Sequence, residues 1–208
     1  GKLKLGKTTT LLKNTVIIGI GSLGTKILTF FLLPLYTILL SPDDYGTIDV
    51  LITITSLIIP FVSLEIGSGV FRFIIEKNQK EVKEVISTGF FFELIGLSLY
   101  TVVMFFLNIY FAIPHVYIFT IYVITATLMT LITNTIRGLG DNLGYSIGNF
   151  LTTLVALLLN LILIIGIKMG GEAILISTII GNIVGILVIF IRTKLWRYIS
   201  IRYVRILA

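Results

Sequence analysis

The sequence predicts an all-α integral membrane protein with six transmembrane helices. Three observations lead to this fold class: 56% of the 208 residues are hydrophobic, only 12% are charged, and the mean hydropathy is +1.07. Soluble domains carry about 25% charged residues, whereas a membrane-spanning helix needs roughly 20 consecutive apolar residues. The apolar runs here are too long and too uniform for the alternating segments of about ten residues in a transmembrane barrel.

Six apolar runs define the predicted spans, at residues 14–40, 47–72, 85–111, 115–137, 145–167 and 172–191. Turn-forming or charged residues separate them, at 41–46, 76–84, 112–115, 138–142 and 168–172. A basic N-terminal segment, 1–13, precedes the first span. The segment 192–208 follows the last span and alternates basic, aromatic and aliphatic residues. It is expected to form a basic amphipathic cytoplasmic linker on the inner membrane surface.

The distribution of basic residues predicts the orientation of the chain. Fourteen of the 16 Lys and Arg residues flank the spans on the side of the N-terminus, whereas Lys168 lies on the opposite side and Lys26 within a span. Lys and Arg in short loops are retained in the cytoplasm. Both termini are therefore expected to be cytoplasmic.

Composition also narrows the function classes. The net charge of +6 comes from residues scattered between apolar runs, which argues against a nucleic-acid partner. The chain has no cysteine and one histidine, His115, so no metal site is expected. The sequence contains no phosphate-binding loop, nucleophile elbow or metalloprotease motif. We expect neither an enzyme nor a cofactor, with a membrane transferase using dispersed carboxylates as the alternative.

Ionisable residues within the spans are the strongest functional signal, because a charge at mid-bilayer costs about 2.5–3.5 kcal/mol on insertion scales. At 1.5 Å per residue, Lys26 lies roughly 18 Å from the cytoplasmic end of its span, Glu65 about 10 Å and Glu93 about 12 Å. The three are predicted to line a substrate-binding cavity, with Arg72 and Arg137 at its cytoplasmic mouth. The structural alternative is an ion pair between Lys26 and Glu65, a snorkelling Glu93, and arginines that only anchor the topology.

Proline and glycine positions predict local features of the spans. Pro34 and Pro60 interrupt the first two spans and are candidate hinges, with tolerated packing kinks as the alternative. Glycines four residues apart predict close approach of the helices that carry them. These lie at 140, 144 and 148 and at 181 and 185.

The stretch GSLGTKILTFFLLPLYTILLSPDDYGTIDVL resembles the first helix and outer loop of the polysaccharide-biosynthesis (Wzx-type) flippases, in the multidrug/oligosaccharidyl-lipid/polysaccharide exporter superfamily. The stretches RGLGDNLGYSIGNFLTTLVALLLNLILI and GGEAILISTIIGNIVG add to the resemblance. The resemblance implies a transporter in a bacterial or archaeal cytoplasmic membrane. It would flip an undecaprenyl-diphosphate-linked oligosaccharide for cell-surface polysaccharides such as exopolysaccharide or O-antigen.

The resemblance also implies roles for the charged residues. Lys26 would face the diphosphate, and Arg72 and Arg137 would contact the substrate at the mouth. Glu65 and Glu93 would form ion pairs or couple transport to H⁺ or Na⁺.

Superfamily members have twelve or more spans, arranged as two six-helix lobes that give alternating access to a central cavity, and this chain resembles the N-terminal lobe. We expect its partners to be membrane lipids and a missing second lobe or a second copy of the chain. The sequence would then be a fragment, a truncated gene product or half of an obligate dimer. A cation-coupled multidrug exporter and a non-transporting membrane scaffold are the alternative functions.

Overall fold

The computed structural model describes residues 2–75 and 77–204, with side chains from Leu12 onwards. Seven α-helices occupy most of this part of the chain: α1 (Lys2–Leu39), α2 (Pro42–Ser63), α3 (Ile66–Ile74), α4 (Gln79–Phe111), α5 (Val116–Gly138), α6 (Asn142–Asn160) and α7 (Glu172–Thr193). A π-helical stretch, Leu161–Gly166, extends α6, and two short 3₁₀ turns, Leu195–Arg197 and Ile201–Tyr203, follow α7. Part of the predicted charge pattern lies outside the described residues, namely Glu76, Arg205 and the side chains of Lys2, Lys4 and Lys7.

Six helical segments are long and apolar enough to cross a membrane: residues 12–39, 42–63, 79–111, 116–138, 142–166 and 172–193. No strand occurs among the described residues. The predicted all-helical fold with six membrane-spanning helices is therefore confirmed, and the chain is a multi-pass membrane protein. Helices suit this environment because all their backbone hydrogen bonds are satisfied within the segment.

Three regions differ from the helix limits predicted from the sequence. α1 begins at Lys2, because eight of residues 2–13 are Lys or Leu and no proline interrupts them, so they continue the first helix despite Gly6 and three threonines. The run 47–72 is divided between α2 and α3 by Leu64 and Glu65, whose φ angles are 48° and 55°. Lys194 (φ 50°) ends α7 in the same left-handed conformation, and the tail beyond it forms 3₁₀ turns.

Side-chain caps fix where three of the helices begin. Ser41 accepts a hydrogen bond from the Asp44 amide (3.2 Å) at the start of α2, and Asn78 accepts from the first turn of α4. Asp141 accepts from the Gly144 amide (2.8 Å) and caps α6. Such caps satisfy amides that have no partner within the helix.

Helices α6 and α7 form the most closely packed pair. A Cβ atom at Gly181 would lie 2.5 Å from the backbone oxygen of Thr152, and one at Gly185 would meet the Thr152 hydroxyl. A Cβ atom at Gly148 would meet the Ile189 side chain. The two backbones approach closely because these positions lack side chains, which confirms the prediction from the glycine spacing at these three positions.

Helix α1 packs mainly on α6, whereas α5 lies centrally and contacts α2, α3, α4, α6 and α7. Cβ atoms at Gly21 and Gly24 would lie 2.7 Å from the Ser146 Cβ and 3.2 Å from the Phe150 ring. The Ser146 hydroxyl also donates to the Ile17 carbonyl (3.2 Å). Because α1 contacts the bundle along one flank, most of its remaining surface is exposed.

The two ends of the bundle carry different sets of connections. The end that we call the basic end holds the segments at 75, 77–78, 139–141 and 194–204, and the opposite end holds those at 40–41, 112–115 and 167–171. At the basic end Arg192 lies 3.3 Å from Asp141. At the opposite end His115 lies 3.5 Å from Glu172. Each pair joins one end of α7 to a connection that is distant in sequence.

Candidate functional site

A row of exposed polar side chains runs along one face of α1. Ser22, Lys26 and Thr29 are all exposed, and they lie on the side of the helix away from Gly21 and Gly24, which face α6. Their spacing of three to four residues places them on a single helical face. The Thr29 hydroxyl donates to the Thr25 carbonyl within the helix (2.9 Å), so the charge of Lys26 is the feature that does not suit lipid and that indicates a face directed toward water or another protein surface.

A second polar row runs along α2. Asp49, Thr53 and Ser56 are exposed and again lie three to four residues apart. The buried residues of α2, which include Ile48, Leu51 and Thr55, lie on a different face and pack into the bundle. The exposed row is therefore a feature of the outward surface of α2.

We infer that the two polar rows border the same space, because the helices that carry them meet at one end. The rings of Tyr36 on α1 and Tyr45 on α2 lie 6.0 Å apart at the opposite end of the bundle, where the two helices face each other. Thr29 lies seven residues before Tyr36, and Asp49 lies four residues after Tyr45. These spacings are close to two helical turns and one helical turn, so each polar row lies on the same side of its helix as the tyrosine ring. Elsewhere α1 and α2 have little direct contact. We call the space between them the polar cleft, bordered by Ser22, Lys26, Thr29, Asp49, Thr53 and Ser56.

Lys26 lies near the middle of the membrane-spanning part of the cleft. It follows Gly21, which contacts Ser146 on the second turn of α6, so it lies about 14 Å along the bundle from the first residue of α6. The hydrocarbon core is about 30 Å thick. None of the three ion pairs found among the described residues involves Lys26. Its ammonium group is therefore available to a ligand in the cleft.

Glu65 and Arg72 lie on the exposed edge of α3. The Glu65 carboxylate accepts a hydrogen bond from the Ser68 hydroxyl (2.7 Å), and Arg72 is exposed about two turns closer to the basic end than Glu65. The packed side of α3 faces α5, where a Cβ atom at Gly67 would lie 3.0 Å from the Asn134 amide nitrogen. The structure shows no ion pair between Lys26 and Glu65 among the described residues.

Glu93 occupies a different environment from the other predicted residues. Its side chain is 1% exposed, and its Oε2 atom is buried without a hydrogen-bond partner in the part of the chain that the structure describes. It lies on the packed face of α4, between Gly89, which contacts α3, and Gly96, which contacts the end of α2. Glu93 therefore does not line the polar cleft, although the sequence predicted it in one cavity with Lys26.

Arg137 lies at the basic end between two aromatic rings. Its guanidinium carbon is 5.0 Å from the centre of the Phe71 ring and 4.9 Å from that of Tyr145. Its Nε atom is buried and has no hydrogen-bond partner among the described residues. The stacking joins α3, α5 and α6, so Arg137 holds three helices together at the predicted mouth.

A second concave feature, which we call the apolar groove, lies on the other side of α2 and α3. It has a volume of about 980 Å³ and runs between these helices and α4. Apolar residues such as Phe61, Phe92 and Leu99 form its walls, and Lys77 and Glu81 lie at its basic end. The broken second span therefore separates a polar cleft from an apolar groove.

The comparisons with known proteins identify the family. A family model described as "Polysaccharide biosynthesis protein" matches residues 11–206. The chain belongs to the polysaccharide biosynthesis protein family. No curated protein and no solved structure matches the chain significantly. Membership of the polysaccharide biosynthesis protein family, together with six membrane-spanning helices, supports a role as a membrane transporter.

For this polysaccharide biosynthesis protein, the sequence pattern indicated a site at Lys26 on α1 but did not indicate the polar residues around it. Ser22 and Thr29 flank Lys26, and Asp49, Thr53 and Ser56 face them from α2. The signal was present, because polar residues recur at helical spacing in both spans. Hydroxyl groups lower the hydropathy of a span only slightly, and Asp49 is the third residue of the predicted span 47–72, close to its charged outer loop.

The two candidate hinge prolines both lie inside helices. Pro34 lies within α1 and Pro60 within α2, and both helices continue beyond them. The interruption of the second span occurs at Leu64 and Glu65, after Pro60.

Proposed function

We propose that this polysaccharide biosynthesis protein is one lobe of a flippase that moves an undecaprenyl-diphosphate-linked oligosaccharide across the cytoplasmic membrane of a bacterium or archaeon. The observation that carries the proposal is the exposed, unpaired Lys26 at mid-depth in the polar cleft. A lipid-linked sugar needs a path for its polar headgroup while its tail stays in the bilayer. An exposed polar face on a spanning helix supplies one side of such a path.

The chemistry of the cleft suits this substrate. Lys26 offers three N–H donors to a diphosphate oxygen, and the hydroxyls of Ser22, Thr29, Thr53 and Ser56 can hydrogen-bond to sugar hydroxyls. Arg72 and Arg137 lie nearer the basic end and would meet the headgroup first. No catalytic residue and no resident cofactor is part of this proposal, since transport changes no covalent bond.

The exposed polar face also implies a partner within the membrane. Asp49 and Lys26 would contact lipid tails if this bundle acted alone, at a cost of about 2.5–3.5 kcal/mol for each charge near the bilayer centre. We propose that a second six-helix lobe, or a second copy of this chain, faces the cleft and closes it. Alternating access then results from rocking of the two lobes about the substrate.

Replacement of Lys26 tests the proposal. Loss of a charged hydrogen bond costs about 1.5–3 kcal/mol, so Lys26→Ala should weaken headgroup binding roughly 10- to 100-fold. In cells that depend on the gene carrying this sequence, surface polysaccharide should fall strongly, whereas Lys26→Arg should retain export. Lys13→Ala is the matched control, because Lys13 is an exposed lysine of the same helix at the basic end.

Normal export by Lys26→Ala, at an expression level equal to that of the unmodified protein, would refute the proposed role of the cleft. Accumulation of lipid-linked oligosaccharide on the inner face, measured in the same cells, would show that translocation and not synthesis is affected.

Asp49 favours a second candidate function, the cation-coupled multidrug exporter, because an exposed carboxylate in the cleft attracts lipophilic cations. Under this alternative, Asp49→Asn would sensitise cells to cationic dyes and leave surface polysaccharide unchanged. Under the flippase proposal, dye resistance is unaffected by Asp49→Asn.

A further inference from the structure

Glu93 is the most unusual ionisable residue in the described part of the chain. It is 1% exposed in a membrane-spanning helix, and its Oε2 atom has no hydrogen-bond partner. Moving an ionised carboxylate into such surroundings without a partner is strongly unfavourable, and the group becomes neutral instead. The buried arrangement therefore requires the protonated carboxyl group.

The position of Glu93 is set by two glycines on the same face of α4. Gly89 lies four residues before it and contacts Val70 and Ile66 on α3, and Gly96 lies three residues after it and contacts the carbonyl oxygen of Val62 on α2. Residues at this spacing share one helical face. Glu93 consequently faces the break between α2 and α3, where Leu64 and Glu65 interrupt the helix.

Other charged groups do not compensate a carboxylate at Glu93. On α3, Glu65 is bonded to Ser68 and Arg72 is exposed. On α5, the Arg137 guanidinium is held between rings at the basic end, and on the tail Tyr203 lies under Lys83. The charged residues of α2 lie near its start and in the polar cleft. No ion pair to Glu93 is found in the described ranges, and no cluster of three or more potential metal-ligating side chains occurs there.

The apolar groove is the space that a proton released from Glu93 would reach. Gly89, Phe92 and Gly96 line the groove and surround Glu93 along α4, while Glu81 and Glu84 lie at its basic end. Separation of α4 from the break would connect the Glu93 carboxyl group with this space. The interface between α4 and the break therefore controls whether Glu93 contacts water.

We propose that Glu93 is a proton-binding site that is sealed when α4 packs on the α2–α3 break and open when the two separate. On opening, the carboxyl O–H bond breaks, the proton passes to water in the groove, and a carboxylate remains. On closing, the carboxylate takes up one proton. The use of this proton to drive transport rests on the proposed flippase function; the protonation of Glu93 does not.

Infrared spectroscopy of the full chain in lipid nanodiscs tests the site directly. At neutral pH the protein should show the C=O band of a protonated carboxyl group that exchanges slowly with deuterium. Glu93→Gln, which keeps the shape and removes the acid, should abolish this band. Glu65→Gln is the matched control, because Glu65 is an exposed acid at the neighbouring break, and it should leave the band intact.

A pair of glycine variants tests the seal. Gly96→Ala would place a Cβ atom against the Val62 carbonyl and push α4 away from the break, whereas a Cβ atom at Gly69 in the same groove meets nothing within 4 Å. Gly96→Ala should therefore make the carboxyl band exchange faster and titrate with external pH, and Gly69→Ala should not. Absence of the band in the unmodified protein, or its persistence in Glu93→Gln, would overturn the proposal.

The two proposals fail in different ways. If the protein flips no lipid-linked sugar in vesicles but keeps the carboxyl band, the flippase function is wrong and the proton site stands. If transport occurs at normal rate in Glu93→Gln with unchanged response to a pH gradient, the coupling role is wrong and the flippase function stands.

Discussion

Replacement of Gly181 by alanine gives a sharp test of how this bundle is held together. Gly181 lies on α7, where the helix packs most closely on α6. A Cβ atom there would lie 2.5 Å from the Thr152 backbone oxygen and 3.4 Å from the Ala156 Cβ atom. The first distance is too short for any side chain, and the obstacle is backbone, so the two helices must move apart.

Two opposing contributions determine how much Gly181→Ala changes the free energy of unfolding. Alanine is favoured over glycine within a helix by roughly 0.5–1 kcal/mol, and overpacking a close contact costs about 1–3 kcal/mol. Separation of the helices also weakens the neighbouring contacts at Gly185 and Gly148. We expect Gly181→Ala to lower the free energy of unfolding by about 1 kcal/mol, or about 2–4 °C in the thermal midpoint for a chain of this size.

The assay is thermal unfolding of the purified chain in detergent, followed by helical circular dichroism. Gly19→Ala is the matched control, because Gly19 also lies within a spanning helix but a Cβ atom there meets nothing within 4 Å. Only the propensity gain applies at Gly19, so this variant should unfold at a higher temperature than the unmodified protein. The two substitutions are chemically identical and should shift the midpoint in opposite directions.

An equal shift for both variants would refute the reasoning, because it would show that the α6–α7 contact has no special intolerance of a methyl group. A stabilised Gly181→Ala would place the two helices farther apart than the described geometry.

Two further predictions concern the basic end. Arg137→Ala removes stacking on two rings, each worth about 0.5–1 kcal/mol, and should lower the free energy of unfolding by about 1–2 kcal/mol in chemical denaturation, whereas Arg72→Ala should change it by less than about 0.5 kcal/mol. Ser87→Ala removes the hydroxyl that donates to the Tyr198 carbonyl (2.8 Å) and accepts from the Ser200 amide (3.1 Å). Hydrogen exchange at residues 198–200 should become faster, and unchanged exchange would show that the tail is held by other contacts.

Hydropathy was sufficient to predict the six spans, because lipid exposure and burial in the bundle both select apolar residues. For the same reason, hydropathy does not show which face of each helix points toward the bundle. Lys26, Glu65 and Glu93 were predicted to share one cavity from their depth along the spans. Depth follows from counting residues at 1.5 Å each, but the direction of a side chain depends on which neighbour the helix packs against. Contacts at Gly21 and Gly96 set those directions, and they place Lys26 in the cleft and Glu93 behind the break.

The break itself had no clear sequence signal. Leu64 and Glu65 both have positive φ angles, a conformation that usually favours glycine or asparagine. The preceding Pro60 suggested a kink at the proline, four residues before the observed break. Directly after the break, Gly67 packs closely on α5, where a Cβ atom would lie 3.0 Å from the Asn134 amide nitrogen, and hydropathy does not reveal such a contact.

The break at Leu64 and Glu65 lies between the polar cleft and the buried Glu93, and this position has a mechanical consequence. Helix α3 is held to the bundle by Gly67 against α5 and by the stacking of Phe71 on Arg137. The last turn of α2 is held by the contact of the Val62 carbonyl with Gly96 and by packing of Ile59 and Val62 on the core. A continuous helix would transmit any tilt of α2 to α3, whereas two left-handed residues allow the end of α2 to move by itself. Such a movement would change the polar cleft on one side and the seal over Glu93 on the other. If the cleft and the buried acid respond together, we expect the contact at Gly96 to take part, because it joins the end of α2 to the helix that carries Glu93.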